Sequence, residues 1–216
     1  MTGRRYWGRS IVVTSPPARQ LHLLVLGAFT EAGRPPSRAG LERAARAAGA
    51  DPDAVLAELS DHDLVAFGED GEIRAAYPFS PAPSPVQVSW DGGPVVYAMC
   101  AVDALGMSAM LGRPVQITGS EPESERVITV AVDDDKAHWD PETAVVFSGA
   151  ARNMSCGASA DRTCRFIHFF SAEAAAQQWE ERHPEATGLL LNQEEALSVG
   201  IGQFGALISK GQEGTG

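Results

Sequence analysis

Cys100 and Asp103 stand three residues apart in Tyr97-Ala98-Met99-Cys100-Ala101-Val102-Asp103-Ala104-Leu105, an apolar stretch where an ionisable pair needs a physical reason. On a helix this spacing puts a thiol and a carboxylate on one face, about one turn apart. Buried among Tyr97, Met99, Val102, Leu105 and Met107, the carboxyl either finds a donor or holds its proton at a raised pKa. A proton donor beside a sulfur nucleophile is equipped for general acid chemistry. The spacing alone equally allows Cys100 to be a small core residue and Asp103 to face solvent at the helix rim.

The other two cysteines lie together near a second chemical segment. Cys164 precedes Phe166-Ile167-His168-Phe169-Phe170, and Cys156 falls in Asn153-Met154-Ser155-Cys156-Gly157-Ala158-Ser159-Ala160, a run of small residues. No C-x-x-C occurs, and Cys100, Cys156, Cys164 and a His have no zinc-ligand spacing, so structural zinc is disfavoured. Read as a strand from Arg165 to Phe170, the segment places Cys164, Phe166, His168 and Phe170 on one face and Arg165 on the other. Along a strand His168 is then ~13 Å from Cys164, too far for a Cys-His dyad, and reads as a core histidine. Met99, Met107, Met110 and Met154 read as core filling rather than a soft-metal path.

These residues must be held by an α+β fold. Helices are expected over Pro17 to Ala32, from an N-cap at Ser37 to Gly49, and after an N-cap at Asp51. An Asp-Gly turn at Glu69-Asp70-Gly71-Glu72 then joins Val65-Ala66-Phe67 to a strand over Ile73 to Tyr77. Three helices and a hairpin make a winged-helix-like order, assigned to residues 1–80. Pro78, Pro81, Pro83 and Pro85 mark the boundary. Residues 81–216 read as a strand-rich mixed-sheet domain with flanking helices that carries the site. Its expected strands are Val86 to Trp90, Val115 to Thr118, Val127 to Val132, Thr143 to Phe147, Arg165 to Phe170 and Leu189 to Leu191. Its expected helices are Pro94 to Leu111, a helix capped by Ser171 through Trp179, and Glu194 to Ile208, the last weakened by Gly200, Gly202 and Gly205.

Composition narrows the partners. The chain has 216 residues with 28 acids against 17 Lys and Arg, a net charge of −11, which argues against a broad nucleic-acid or anionic-membrane surface. The third helix, which would enter a major groove, carries Asp51, Asp53, Glu58, Asp61 and Asp63 and neither Lys nor Arg. The N-terminal domain is therefore read as structural, not DNA-binding. No apolar stretch is long enough to span a bilayer and no secretory signal is visible, so a cytoplasmic location with reduced thiols is expected.

The ordered set, Tyr97 to Leu105 followed by Leu111-Gly112-Arg113, then Cys164 before Phe166-Ile167-His168-Phe169-Phe170-Ser171-Ala172, with Trp179 beyond, resembles the organomercurial lyase (alkylmercury lyase) family. The resemblance covers most of the chain. It implies an active site of Cys100, Asp103 and Cys164, in which the two thiolates take mercury and Asp103 shuttles a proton to the leaving carbon. Mercury is thiophilic, and oxygen or nitrogen donors do not compete for it. The implied products are a hydrocarbon and Hg(II) held by Cys100 and Cys164, with Asp103 as a third ligand. Cytosolic thiols and a mercuric reductase are the implied partners, and no organic cofactor is required. Where members often carry a Cys-Cys pair this chain has Cys164-Arg165, and Cys156 has no counterpart and reads as a surface residue. A scaffold turned to another lyase reaction in biosynthesis, and a soft-metal trafficking protein without turnover, are the competing readings. Retention of Asp103 favours an enzyme, because sequestration needs no proton donor.

Overall fold

The computed structural model describes residues 14–124, 126–153 and 157–205. The expected final turn at 206–208, Met154 and Cys156 lie outside them. Helix α1 (Pro16–Ala32) starts where the Ser15 hydroxyl accepts from the Ala18 N–H at 3.3 Å, and it ends at Gly33 in the left-handed region, φ 69°. Helix α2 (Arg38–Ala47) is capped in the same way by Ser37. In α3 (Pro52–Asp61), Asp51 occupies the N-cap position without a side-chain bond to the helix. Leu21, Val25, Leu26, Phe29, Leu41, Leu56 and Leu59 close a core between the three helices. Strands β1 (Val65–Phe67) and β2 (Ile73–Ala76) form the expected hairpin.

The proline-rich segment carries strand β3 (Phe79–Ser80), so it is not a free tether. Phe79 pairs with Ala76 of β2 on one side and with Ala98 on the other, while its ring stacks on Phe29 of α1, centroids 4.8 Å apart. Next come β4 (Val86–Ser89), β5 (Val96–Ala98), α4 (Ala101–Leu105), α5 (Met107–Leu111), β6 (Val115–Ser120), β7 (Val127–Asp133) and β8 (Lys136–Asp140). One sheet runs β1-β2-β3-β5-β4-β6-β7-β8 from the hairpin to the far edge.

The chain continues through β9 (Val145–Ala151), α6 (Ser159–Arg162), a 3-10 turn (Cys164–Phe166), β10 (Ile167–Phe170), α7 (Glu173–Arg182), β11 (Ala186–Leu191) and α8 (Gln193–Phe204). Strands β10-β9-β11 form a second, small sheet. The α+β class holds, but among the described residues every strand pair is antiparallel and the mixed sheet is not found. Most links are short turns, whereas a parallel pair needs a crossover of about a dozen residues or more. Strand β8 was not expected, because its buried Trp139 is flanked by charge, from Asp133-Asp134-Asp135-Lys136 to Asp140.

Several element boundaries move, β9 and β11 among them, and the shifts at Cys100 and Cys164 bear on the site. The apolar stretch from Pro94 is not one helix: Val95-Val96-Tyr97 favours extended backbone, β5 forms, and helix begins only at Ala101. It breaks again at Gly106, where α8 crosses so closely that a Cβ on Gly106 would lie 2.4 Å from the Gly200 carbonyl oxygen. The segment at Arg165 is a 3-10 turn rather than strand, because the Phe166 N–H turns back to the Thr163 carbonyl at 2.8 Å. Ser171 does not cap α7; Ala172 is at the cap, and Ser171 gives its N–H to the buried Glu121 carboxylate at 2.6 Å.

Candidate active site

Cys100 ends the passage from β5 into α4 and occupies the helix N-cap, with φ −160° and ψ 178°. From there its Sγ accepts the Asp103 N–H at 3.4 Å. The three-residue spacing thus works through a helix cap rather than through one turn of a helix face. Asp103, in the first turn of α4, turns its carboxylate to the second thiol: Cys164 Sγ donates to Asp103 Oδ2 at 3.6 Å. Two sulfurs and a carboxylate oxygen all lie within 4.8 Å of one another, and all three residues are buried: Cys100 and Asp103 are 3% exposed and Cys164 5%. The alternative with Asp103 at a solvent rim is overturned. No other group of three His, Cys, Asp or Glu among the described residues could hold a metal ion.

The electrostatics follow from burial. Desolvation pushes the Cys100 thiol well above the ordinary thiol range, reinforced by its hydrogen bond with Cys164 and by the Asp103 charge. A thiol so placed keeps its proton until something takes it or a metal displaces it. Neither cysteine is in a disulfide. The donor set of two sulfurs and one oxygen suits a soft cation better than a hard one.

Support for Cys100 comes from regular structure. Helix α4 lies against α8 at the Gly106–Gly200 crossing, where a Cβ on Gly200 would meet Gly106 N and Val102 O at 2.8 Å. The glycine that weakens α8 in isolation therefore lets the two helices touch. Cys164 is held differently, in a 3-10 turn after the single turn of α6, and α6 meets side chains from the three-helix half. Asp63 accepts the Ser159 N–H at 3.1 Å, Tyr77 Oη accepts the Ala160 N–H at 2.6 Å, and Arg74 pairs with both Asp161 oxygens at 3.0 and 2.6 Å. Nothing in the sequence marks these three for this role; Asp63 reads there as one acid of the third helix, but α3 ends at Asp61 and Asp63 lies in the turn beyond it.

The bend at Cys164 takes that residue out of the expected alternation, while Phe166, His168 and Phe170 keep a common side. Cys164 joins the main core, whereas Phe166 and Phe170 pack with Trp179 in a second cluster. His168 lies against Trp179, ring centroids 5.2 Å apart, and burial lowers its pKa to about 4. Arg165 sets its guanidinium 4.8 Å from the Phe166 ring.

Residues 79–205, more than half of the chain, match the alkylmercury lyase family. The chain belongs to that family. It is 33% identical to the alkylmercury lyase of Staphylococcus epidermidis over 137 residues, covering 63% of this chain and 61% of that one. Against the alkylmercury lyase of Streptomyces lividans it is 30% identical over 158 residues, 73% of this chain and 70% of that one. Against that of Bacillus cereus it is 34% identical over 119 residues, 55% and 52%. The matched region thus spans between about half and 70% of these alkylmercury lyases. The fold is similar to the crystal structure of the mercury-bound form of MerB2, with TM-score 0.63 and 22% identity over 90% of this chain and 100% of that one. Cys100, Asp103 and Cys164 all fall inside the matched alkylmercury lyase region.

Proposed function

We propose that this protein cleaves carbon–mercury bonds by protonolysis, releasing a hydrocarbon and Hg(II). The observation that carries the reading is the buried cluster of two thiols and one aspartate, whose ligand atoms lie within 4.8 Å of one another. Cys100 accepts from the Asp103 backbone, and Cys164 donates to the Asp103 carboxylate. In the reaction, R–Hg–X meets the pair, one thiol proton leaves with X, and a sulfur–mercury bond replaces the mercury–X bond. The second thiol yields its proton to Asp103 and its sulfur joins mercury. Two thiolates push electron density toward carbon, Asp103 returns the proton there, and R–H departs as the carbon–mercury bond breaks. Hg(II) stays on Cys100 and Cys164, with Asp103 as third ligand, until cytosolic thiols or a mercuric reductase remove it. No organic cofactor enters the scheme, and we place it in the cytoplasm; no described helix is long and apolar enough to cross a membrane.

Residues 1–80 form, in this reading, a winged-helix-like domain with a structural role, and residues 81–216 the catalytic domain. Acids on α3 and the contacts of Asp63, Arg74 and Tyr77 with α6 support a supporting rather than DNA-reading role. The test is incubation of the purified protein with phenylmercury and excess thiol. Benzene and Hg(II) are expected in equal amounts over many turnovers, and Cys156→Ser is expected to leave the yield unchanged. Stoichiometric mercury binding without benzene would replace the lyase with a trafficking protein.

A further inference from the structure

Cys164 owes its position to groups far away in the chain. The three residues of α6 that precede it by one turn, Ser159, Ala160 and Asp161, are each bonded to a different side chain of the N-terminal half. Asp63 takes both the N–H and the hydroxyl of Ser159, Tyr77 takes the Ala160 N–H, and Arg74 grips Asp161 with two parallel N–H···O bonds. Asp63 does this from the left-handed region, φ 54°, a conformation that Asp tolerates and that folded structure must hold in place. Tyr77 is buried one residue beyond β2. The turn then passes the constraint on: Thr163 Oγ1 donates to the Ser159 carbonyl at 3.0 Å and lies 4.0 Å from Cys164 Sγ.

We propose that Asp63, Arg74 and Tyr77 are positioning residues that fix the Cys164 sulfur against the Asp103 carboxylate. The proposal rests on the lyase reading of the same site. None of the three touches the reacting atoms. What they set is the 3.6 Å approach of Cys164 Sγ to Asp103 Oδ2, which protonolysis uses for proton transfer and for the second sulfur–mercury bond. Reaction rates are steep in such distances, and a shift of about 1 Å can cost about 100-fold.

The Arg74–Asp161 pair is the clean handle, because its side chains are 40% and 45% exposed and their loss leaves the core intact. The experiment measures benzene release from phenylmercury with excess thiol for the wild type, Arg74→Ala, Asp161→Ala and the charge-swapped double variant Arg74→Asp with Asp161→Arg. Each single variant is expected to lose about 10- to 100-fold in kcat with KM and melting temperature little changed, and the swap is expected to recover most of the loss. Tyr77→Phe, which keeps the ring and removes the acceptor, is expected to lower kcat in the same direction. Single variants with wild-type kcat, or a swap as slow as the singles, overturn the proposal while the lyase reading stands.

Should the wild type release no benzene, the lyase reading falls and the near-ultraviolet mercury–thiolate band of the one-to-one Hg(II) complex decides about the positioning. A band moved by Arg74→Ala and returned by the swap supports the proposal; an unmoved band overturns it.

Discussion

Cys100 stands between regular elements. Strand β5 ends two residues before it, α4 begins at the next residue, and α4 is seated on α8 through the Gly106–Gly200 crossing. Cys164 stands in a 3-10 turn after one turn of helix, and the groups that hold that turn are Asp63, Arg74 and Tyr77, distant in sequence. The same residue, Asp103, serves both thiols, through its backbone N–H for Cys100 and its carboxylate for Cys164. One sulfur is therefore fixed by packing and the other by polar contacts. Faults in packing appear first as lost stability, and faults in the polar contacts appear first as lost rate.

The largest effects test whether the two sulfurs share one reaction at all. Cys100→Ser and Cys164→Ser are each expected to abolish benzene release, since a hydroxyl is no substitute for a thiolate toward mercury. Asp103→Asn keeps the N–H that Cys100 accepts but removes the proton carrier, and kcat should fall about 100- to 10,000-fold. Benzene release at the wild-type rate from either serine variant would mean that one sulfur suffices and the comparison has no functional content. Gly200→Ala comes next and probes the packing side. Its Cβ would press on Gly106 N and Val102 O at 2.8 Å, and a cost of about 1–3 kcal/mol in chemical denaturation is expected. A Gly200→Ala protein as stable as wild type would show that Cys100 is not held by the helix crossing.

The difference between the halves is also one of legibility. The Cys100–Asp103 spacing is local and visible, but the sequence starts the helix too early because an apolar run gives no period to tell strand from helix. Once Val96 and Tyr97 are in β5, the pair changes from two groups on a helix face to a cap and its first turn. Gly200 read as a weakness because its partner Gly106 is remote in sequence. Asp63, Arg74 and Tyr77 gave no signal at all, being ordinary residue types whose partners lie in a segment read as irregular. The core of α1, α2 and α3 was legible because the helical period and caps are local features.

Smaller effects sharpen the electrostatic side. The Cys100 thiol has its pKa raised by burial, so the folded state keeps a proton that the unfolded state gives up as the pH climbs. Stability from this source is complete below the ordinary thiol range and is lost as pH rises above it, so the melting temperature of the wild type should fall more steeply there than that of Cys100→Ser. His168 has the opposite limb. Its pKa is lowered to about 4, so stability is complete above the ordinary histidine range and is lost as pH falls toward 4. Replacing His168 with Phe should flatten the acid limb of the melting curve, and an unchanged limb would remove it from the second cluster's titration. The smallest effect is expected at Arg182, whose exposed pair with Glu123 touches neither half of the site. Arg182→Ala should leave both benzene release and melting temperature as they are.

The two-residue strand β3 joins the hairpin to the rest of the large sheet, with β2 on one side and β5 on the other. The family match begins at residue 79, on this strand. A protein cut there would keep all three site residues yet present β3 as a bare sheet edge, with the Phe79 ring stripped of Phe29. Exposed edges of that kind recruit other chains. Self-association, rather than a smaller working enzyme, is the outcome to expect from such a truncation, and light scattering of the shortened protein would record it.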